Sequence, residues 1–146
     1  SFVSSGCDEG TERVAYLKAL DQELLALGAG GVVHHYGRCL RNRDEKGKFG
    51  VGRRGSKVAT LRNYLFSLSF ENSQIPDYVT EKWPEAIQAG VVPVYCGAPN
   101  IGEYEFAPGT TLNANGMTAG ELAMELAYYS RNRTAYIDRF MRWRLT

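Results

Sequence analysis

The first 36 residues carry a pattern that few folds accommodate. An apolar segment, Phe2 to Ser5, ends at Gly6; Thr11 to Leu27 then repeats apolar side chains at Val14, Leu17, Leu20, Leu24 and Leu27. Steps of three and four residues put those side chains on one helical face. Gly28, Gly30 and Gly31 stop the helix, and Val32 to Tyr36 returns as a second strand. Strand, helix, glycine stop and strand make a β-α-β unit, because parallel strands need a crossover and that crossover is usually a helix.

A second unit follows, with a strand over Tyr64 to Phe70, a polar turn from Glu71 to Pro76, a helix from about Thr80 to Gln88, a stop at Gly90 and a strand over Val91 to Tyr95. The run VVPVYC is apolar on both faces, which suits a strand covered by helices on both sides. From Thr118 onward two helices are expected, AGELAMELAYYS and TAYIDRFMRW, parted near Arg131 and Asn132. No internal repeat and no second domain is visible. The expected architecture is α/β: a doubly wound, mainly parallel sheet with helices on both faces, whose ligands sit at the carboxyl ends of strands.

Composition narrows the function without naming it. With 17 Lys and Arg against 16 Asp and Glu the formal charge is +1, so no basic excess points to nucleic acid. No apolar run reaches the roughly 18 residues that cross a bilayer, and SFVSSGCDEG lacks the regions of a signal peptide. A domain of about 150 residues buries roughly two-thirds of its unfolded surface, so the three cysteines are not needed as staples. The abrupt strand-like start reads as a fragment cut at a domain edge.

Among the segments that follow strands, FENSQIPDYVTEK is the richest. Thr80 is the expected N-cap of the helix behind it. A cation at Lys82 opposes the helix dipole in that first turn unless an anion sits there, so backbone N–H groups and Lys82 together suggest a phosphate cradle. Pro84 is tolerated only within the first turn. Arg13, early in the first helix, supplies a second cation with a planar fork for two phosphate oxygens. The basic, glycine-rich loop 38–57 reads as a solvated insertion in preference to an anion-attracting arm, and the arginines at 131, 133, 139, 142 and 144 as solvated. His34 and His35 read as packing and surface residues. With no G-x-G-x-x-G, no P-loop, no G-x-S-x-G and no Asp-x-Asp pair, dinucleotide cofactors, P-loop hydrolysis and a metal-bound diphosphate lose their support.

FENSQIPDYVTEKWPEAIQAGVVPVYCGAPN, at 70–100, resembles the donor-binding motif of the α1,3-fucosyltransferases, glycosyltransferase family 10. The likeness continues upstream in FVSSGC with Arg13 and in YGRC, and downstream in FAPGTTLN, NRTAYIDRF and Trp143-Arg144. It implies a Rossmann-like domain that is one half of a GT-B arrangement: residues 1–146 as a single GDP-fucose-binding domain, with the N-terminal acceptor domain missing. It further implies fucose transfer from GDP-fucose to an oligosaccharide GlcNAc with inversion. Arg13 and Lys82 would stabilise the leaving diphosphate, and Glu71, Asn72, Tyr78, Thr80 and Glu81 would join them in holding the donor. The base is expected in the missing domain, so no residue here is assigned to it.

The resemblance also implies no metal site and no required cofactor, with Mn²⁺ or Mg²⁺ at most stimulatory. The partners it implies are GDP-fucose and a glycan or glycoprotein acceptor. The membrane enters only through an absent N-terminal anchor of a type II Golgi enzyme. Cys7 and Cys39 match family positions and are expected to be disulfide-bonded, worth on the order of 3 to 4 kcal/mol in an oxidising compartment; Cys96 is left as a buried thiol. Asn132-Arg133-Thr134 is a glycosylation sequon. Ser5-Gly6 where many relatives carry Asn, the Trp83-Pro84 pair and the basic loop depart from the pattern. The competing readings are a GT-B transferase for another nucleotide sugar, a non-catalytic nucleotide- or glycan-binding module and, least supported, an NAD-dependent oxidoreductase.

Overall fold

Among the described residues five parallel strands, β1 (Phe2–Ser4), β2 (Val33–His35), β3 (Phe66–Phe70), β4 (Val92–Cys96) and β5 (Leu112–Asn113), form a sheet in the order β2-β1-β3-β4-β5. The computed structural model describes residues 2–4, 12–28, 33–35 and 58–145. Cys7, Cys39, their expected disulfide and the basic loop 38–57 lie outside those residues. The strand order reverses between β1 and β3, which makes their carboxyl ends the switch point where an open α/β sheet takes its ligand.

Alternation along the strands assigns the two faces. Phe66, Leu68 and Phe70 of β3 and Val92 and Val94 of β4 form one core with Leu17, Leu20 and Leu24 of α1 (Glu12–Ala26) and Leu122 and Leu126 of α3 (Ala119–Arg131). Tyr136 and Phe140 close this core, their rings 5.4 and 5.8 Å from that of Phe66. On the other face α2 (Lys82–Ala89) packs through Trp83 on Tyr95, Ala98 and Ile101, and through Ala86 and Ala89 on Val58, Leu61 and Val91. Helices on both faces make the sheet doubly wound, as expected.

Several boundaries differ from the sequence reading. β3 starts at Phe66 because a helical turn at 58–61 runs into a turn closed by Tyr64 N–H on the Leu61 carbonyl at 3.0 Å. β5 was not foreseen; two residues are too few for a period to show. α2 begins at Lys82 rather than Thr80, and Thr80 is not its cap: Glu81 holds that position without a capping hydrogen bond from its side chain, and the Thr80 hydroxyl is committed to Glu71. Pro84 becomes the third helical residue, where a backbone N–H would have had no intrahelical partner. Cys96 is half-buried rather than fully buried.

The C-terminal pair of helices divides where expected. Thr118 caps α3, accepting Glu121 N–H at 3.1 Å, and Asn132 ends α3 and starts α4 (Arg133–Tyr136), its side-chain oxygen accepting Ala135 N–H at 3.0 Å. The sequon asparagine is therefore half-buried and occupied as a cap. The five arginines here are exposed, as expected, and several also make surface contacts. Arg131 donates to the Leu27 carbonyl, Arg139 lies 5.1 Å from the Phe140 ring centre and Arg144 lies 5.0 Å from that of Trp143.

Gly90 ends α2 at φ 80°, and Val91 N–H closes on the Ala86 carbonyl at 3.1 Å. A Cβ there would stand 2.5 Å from an Arg144 guanidinium nitrogen. Gly90→Ala is expected to cost about 1–2 kcal/mol for the left-handed backbone alone, read as a lowered urea midpoint with an unchanged m-value.

Candidate functional site

Arg13 is the second residue of α1, which brings its guanidinium to the carboxyl end of β3 at the switch point. Its Nη1 donates to the Phe70 carbonyl at 3.2 Å and to Asn72 Oδ1 at 2.6 Å. A cavity of about 150 Å³ opens beside it, lined by Glu12, Arg13, Tyr16, Phe70, Glu71, Gln74 and Cys96. Tyr16 packs on the Phe70 ring and donates to the Met117 carbonyl at 3.0 Å, and burial pushes its hydroxyl up to about 12. Burial likewise raises the Cys96 thiol, against the weaker effect of the Gln74 amide that donates to it at 3.3 Å. The thiol is therefore a poor nucleophile.

Glu71 follows β3 directly and is 6% exposed. Its backbone N–H continues the β3–β4 ladder onto the Cys96 carbonyl at 2.8 Å. Its Oε1 accepts the Thr80 hydroxyl at 2.8 Å and, more loosely, Thr80 N–H at 3.4 Å. Oε2 is buried and has no hydrogen-bond partner among the described residues. Lys82 Nζ donates to Thr80 Oγ1 at 3.3 Å and lies 3.8 Å from Glu81 Oε1. The Lys82 side chain is 15% exposed against 57% for Glu81, so the exposed carboxylate is a weak tether.

The loop 71–82 is braced from outside. Asp77, at φ 64°, accepts from Asn100 Nδ2 and from the Tyr104 hydroxyl, both at 2.8 Å, and donates its backbone N–H to Asn100 Oδ1 at 3.0 Å. Tyr95, fully buried, accepts Ala98 N–H at 3.0 Å and donates to the Tyr78 carbonyl at 3.2 Å; burial raises its hydroxyl. Asn115 accepts Gly97 N–H and donates to the Ala98 carbonyl, holding the turn after β4.

Of the residues singled out in the sequence, Arg13, Glu71 and Asn72 meet at the end of β3, and Glu71, Thr80, Glu81 and Lys82 form a second group joined to the first through Glu71. No described contact links Arg13 to Lys82 directly. Tyr78 enters the network through its carbonyl. Sequence reasoning missed Tyr95, Asn100, Tyr104 and Asn115, whose roles depend on strand ends meeting in space. A larger cavity of about 330 Å³ lies beside β5, lined by residues that include Asn113, Met117, Glu125 and Arg139; none of Arg13, Glu71 or Lys82 reaches it.

Two consequences are measurable. A Cβ on Gly97 would stand 2.5 Å from Glu71 Cγ and 2.7 Å from the Tyr95 hydroxyl. Gly97→Ala should therefore destabilise by about 1–3 kcal/mol, the range for overpacking, in urea titration. Hydrogen bonds from Asn100 first, then Tyr104, hold the Asp77 carboxyl below its usual 3.8. Because the folded value is depressed, the stabilisation is present above the unfolded value and is lost as pH falls through the folded one. The Asp77 carboxyl carbon should accordingly titrate below pH 3.8 in NMR; a midpoint at or above that value contradicts the clamp.

The family model described as glycosyltransferase family 10 (fucosyltransferase), C-terminal, matches residues 1–146. An α-(1,3)-fucosyltransferase B of Drosophila melanogaster is 34% identical over 109 residues, covering 71% of this chain and 23% of that protein. A GDP-fucose protein O-fucosyltransferase 3 of Danio rerio is 37% identical over 107 residues, covering 68% and 21%. The chain thus spans about a quarter of the length of the curated relatives it matches. A crystal structure of an α1,3-fucosyltransferase with GDP-fucose superposes with a TM-score of 0.68 at 22% identity, covering 94% of this chain and 37% of that one, a likeness of fold.

Proposed function

The chain belongs to glycosyltransferase family 10, the fucosyltransferases, by the C-terminal family model, and from that membership we propose that it is the donor-binding half of a fucosyltransferase. In this reading residues 1–146 form one domain that binds GDP-fucose at the carboxyl ends of β1 and β3. The acceptor-binding half, the catalytic base and any membrane anchor of a Golgi enzyme belong to sequence outside this chain. The observation that carries the reading is Arg13 held at the switch point by the Phe70 carbonyl and Asn72. That contact uses one guanidinium nitrogen and leaves the rest of the fork for phosphate oxygens.

The chemistry asked of this half is electrostatic. Inverting transfer needs a base to take the acceptor hydroxyl proton and fixed positive charge where the diphosphate leaves. Arg13 and Lys82 supply the charge, so the donor is bound without an obligatory metal, and Mn²⁺ or Mg²⁺ is at most stimulatory. The N–H groups of Lys82 and Trp83, which helix geometry leaves unpaired, contribute; Pro84 has none to give. For the acceptor we favour α1,3 transfer to GlcNAc. The second reading, O-fucosylation of protein, is supported by the Danio rerio relative, which matches as well as the α-(1,3) one.

Calorimetric titration of the chain with GDP, GDP-fucose, GDP-mannose and UDP-galactose, without and with Mn²⁺, tests the donor. Selective metal-free binding of GDP and GDP-fucose is expected. Arg13→Ala and Lys82→Ala should each weaken GDP by about 1–3 kcal/mol, whereas Lys18→Ala, on the exposed face of α1, should not. Equal, small losses in all three would reduce the site to general attraction. Full-length protein offered a glycan and a folded protein acceptor side by side decides between the two acceptor readings.

A further inference from the structure

Lys82 is a long, flexible cation, and the structure holds it by a relay whose direction is fixed by chemistry. Thr80 Oγ1 lies 2.8 Å from Glu71 Oε1 and 3.3 Å from Lys82 Nζ. A carboxylate only accepts, an ammonium only donates, and a hydroxyl has one proton and two lone pairs. Thr80 must therefore give its proton to Glu71 and receive one from Lys82. Glu71 is immobile at the far end: it is buried, tied to Cys96 by its backbone, packed against Gly97, and bonded also to Thr80 N–H. The other tether on Lys82 is the exposed Glu81 carboxylate at 3.8 Å.

We propose that Glu71 and Thr80 are positioning residues for the Lys82 ammonium rather than contacts to the ligand. Glu71 orients the Thr80 hydroxyl, and the hydroxyl holds Nζ with one of its three donors, leaving two for an anion. A cation fixed in advance loses less freedom when the anion arrives, which is how preorganisation raises affinity. The hydroxyl that capped no helix has this task instead. The anion is the donor diphosphate on the proposed function, but the relay concerns Lys82 and can be tested without ligand.

The test uses the 146-residue chain with Thr80→Val, Thr80→Ser, Glu71→Gln, Lys82→Ala and the Thr80→Val/Lys82→Ala double variant, each checked for folding by thermal melting. In ligand-free NMR the Lys82 side-chain resonance is identified by its loss in Lys82→Ala. It should move toward the other lysines in Thr80→Val and hold its place in Thr80→Ser; no movement in Thr80→Val overturns the relay. Should Thr80→Val fail to fold, Glu71→Gln gives the same reading, since its amide weakens the pull on the Thr80 proton.

In GDP calorimetry Thr80→Val should weaken binding about tenfold, the loss of one hydrogen bond to a charged group. Thr80→Ser should recover most of it. In the Lys82→Ala background the same Thr80→Val change should add less than about twofold, because residues acting through one another are non-additive. Full additivity would mean that Thr80 acts independently of Lys82 and overturns the proposal. If wild-type chain binds no GDP, the functional reading fails, while the ligand-free spectra still decide the relay.

Discussion

The site depends on the pairing of β3 with β4. Five residues of each strand are in register, and the ladder runs one bond further, from Glu71 N–H to the Cys96 carbonyl. That last bond leaves Glu71 at the carboxyl end of the central strand with its side chain turned under the loop that follows. A Cβ on residue 97 would press on the Glu71 Cγ and Cβ and force that side chain to shift. Strand pairing thus determines where a buried negative charge lies, and the charge determines which groups of the loop face it.

A buried carboxylate is costly unless hydrogen bonds compensate it. Thr80 provides compensation twice, through its hydroxyl and its backbone N–H, and in doing so forgoes the helix cap that its position suggests. The start of α2 moves two residues on as a result. Lys82 becomes the first helical residue, where the dipole disfavours it, and what holds it there is the same threonine. Local propensity is overridden at one spot, in a segment the rest of the fold braces through Asp77, Tyr95 and Asn115. Such conflicts between local preference and global structure are expected where binding, rather than folding, sets the residues.

Much of this fold was legible because its signals are long-range in period and short-range in sequence. The helix of Leu17, Leu20 and Leu24, the glycine stop at 90 and the doubly covered strand VVPVY each declare themselves within a dozen residues. β5 did not, being two residues long and recognisable only by its pairing with Val94 and Tyr95. The candidate residues were legible as a cluster in FENSQIPDYVTEK, yet their division of labour was not. Whether Thr80 caps a helix or serves a carboxylate nine residues upstream depends on a contact that no periodicity encodes. Arg139 and Arg144 are exposed, as read, but their places beside aromatic rings were likewise not encoded in any period.

The two cations reach the site by different routes, and this bears on what the site can do. Arg13 comes from the helix after β1 and is held by the end of β3 and by Asn72; Lys82 comes from the helix after β3 and is held through Thr80 by Glu71, the residue that follows the same strand. Both tethers converge on residues 70–72, so displacement of that short segment moves both charges together. A diphosphate, whose two anionic groups are linked by one oxygen, needs that kind of fixed spacing more than it needs high charge density. On the proposed function, the near-neutral chain supplies two positioned cations rather than a basic field, and positioning is what stabilises charge developing on a leaving group.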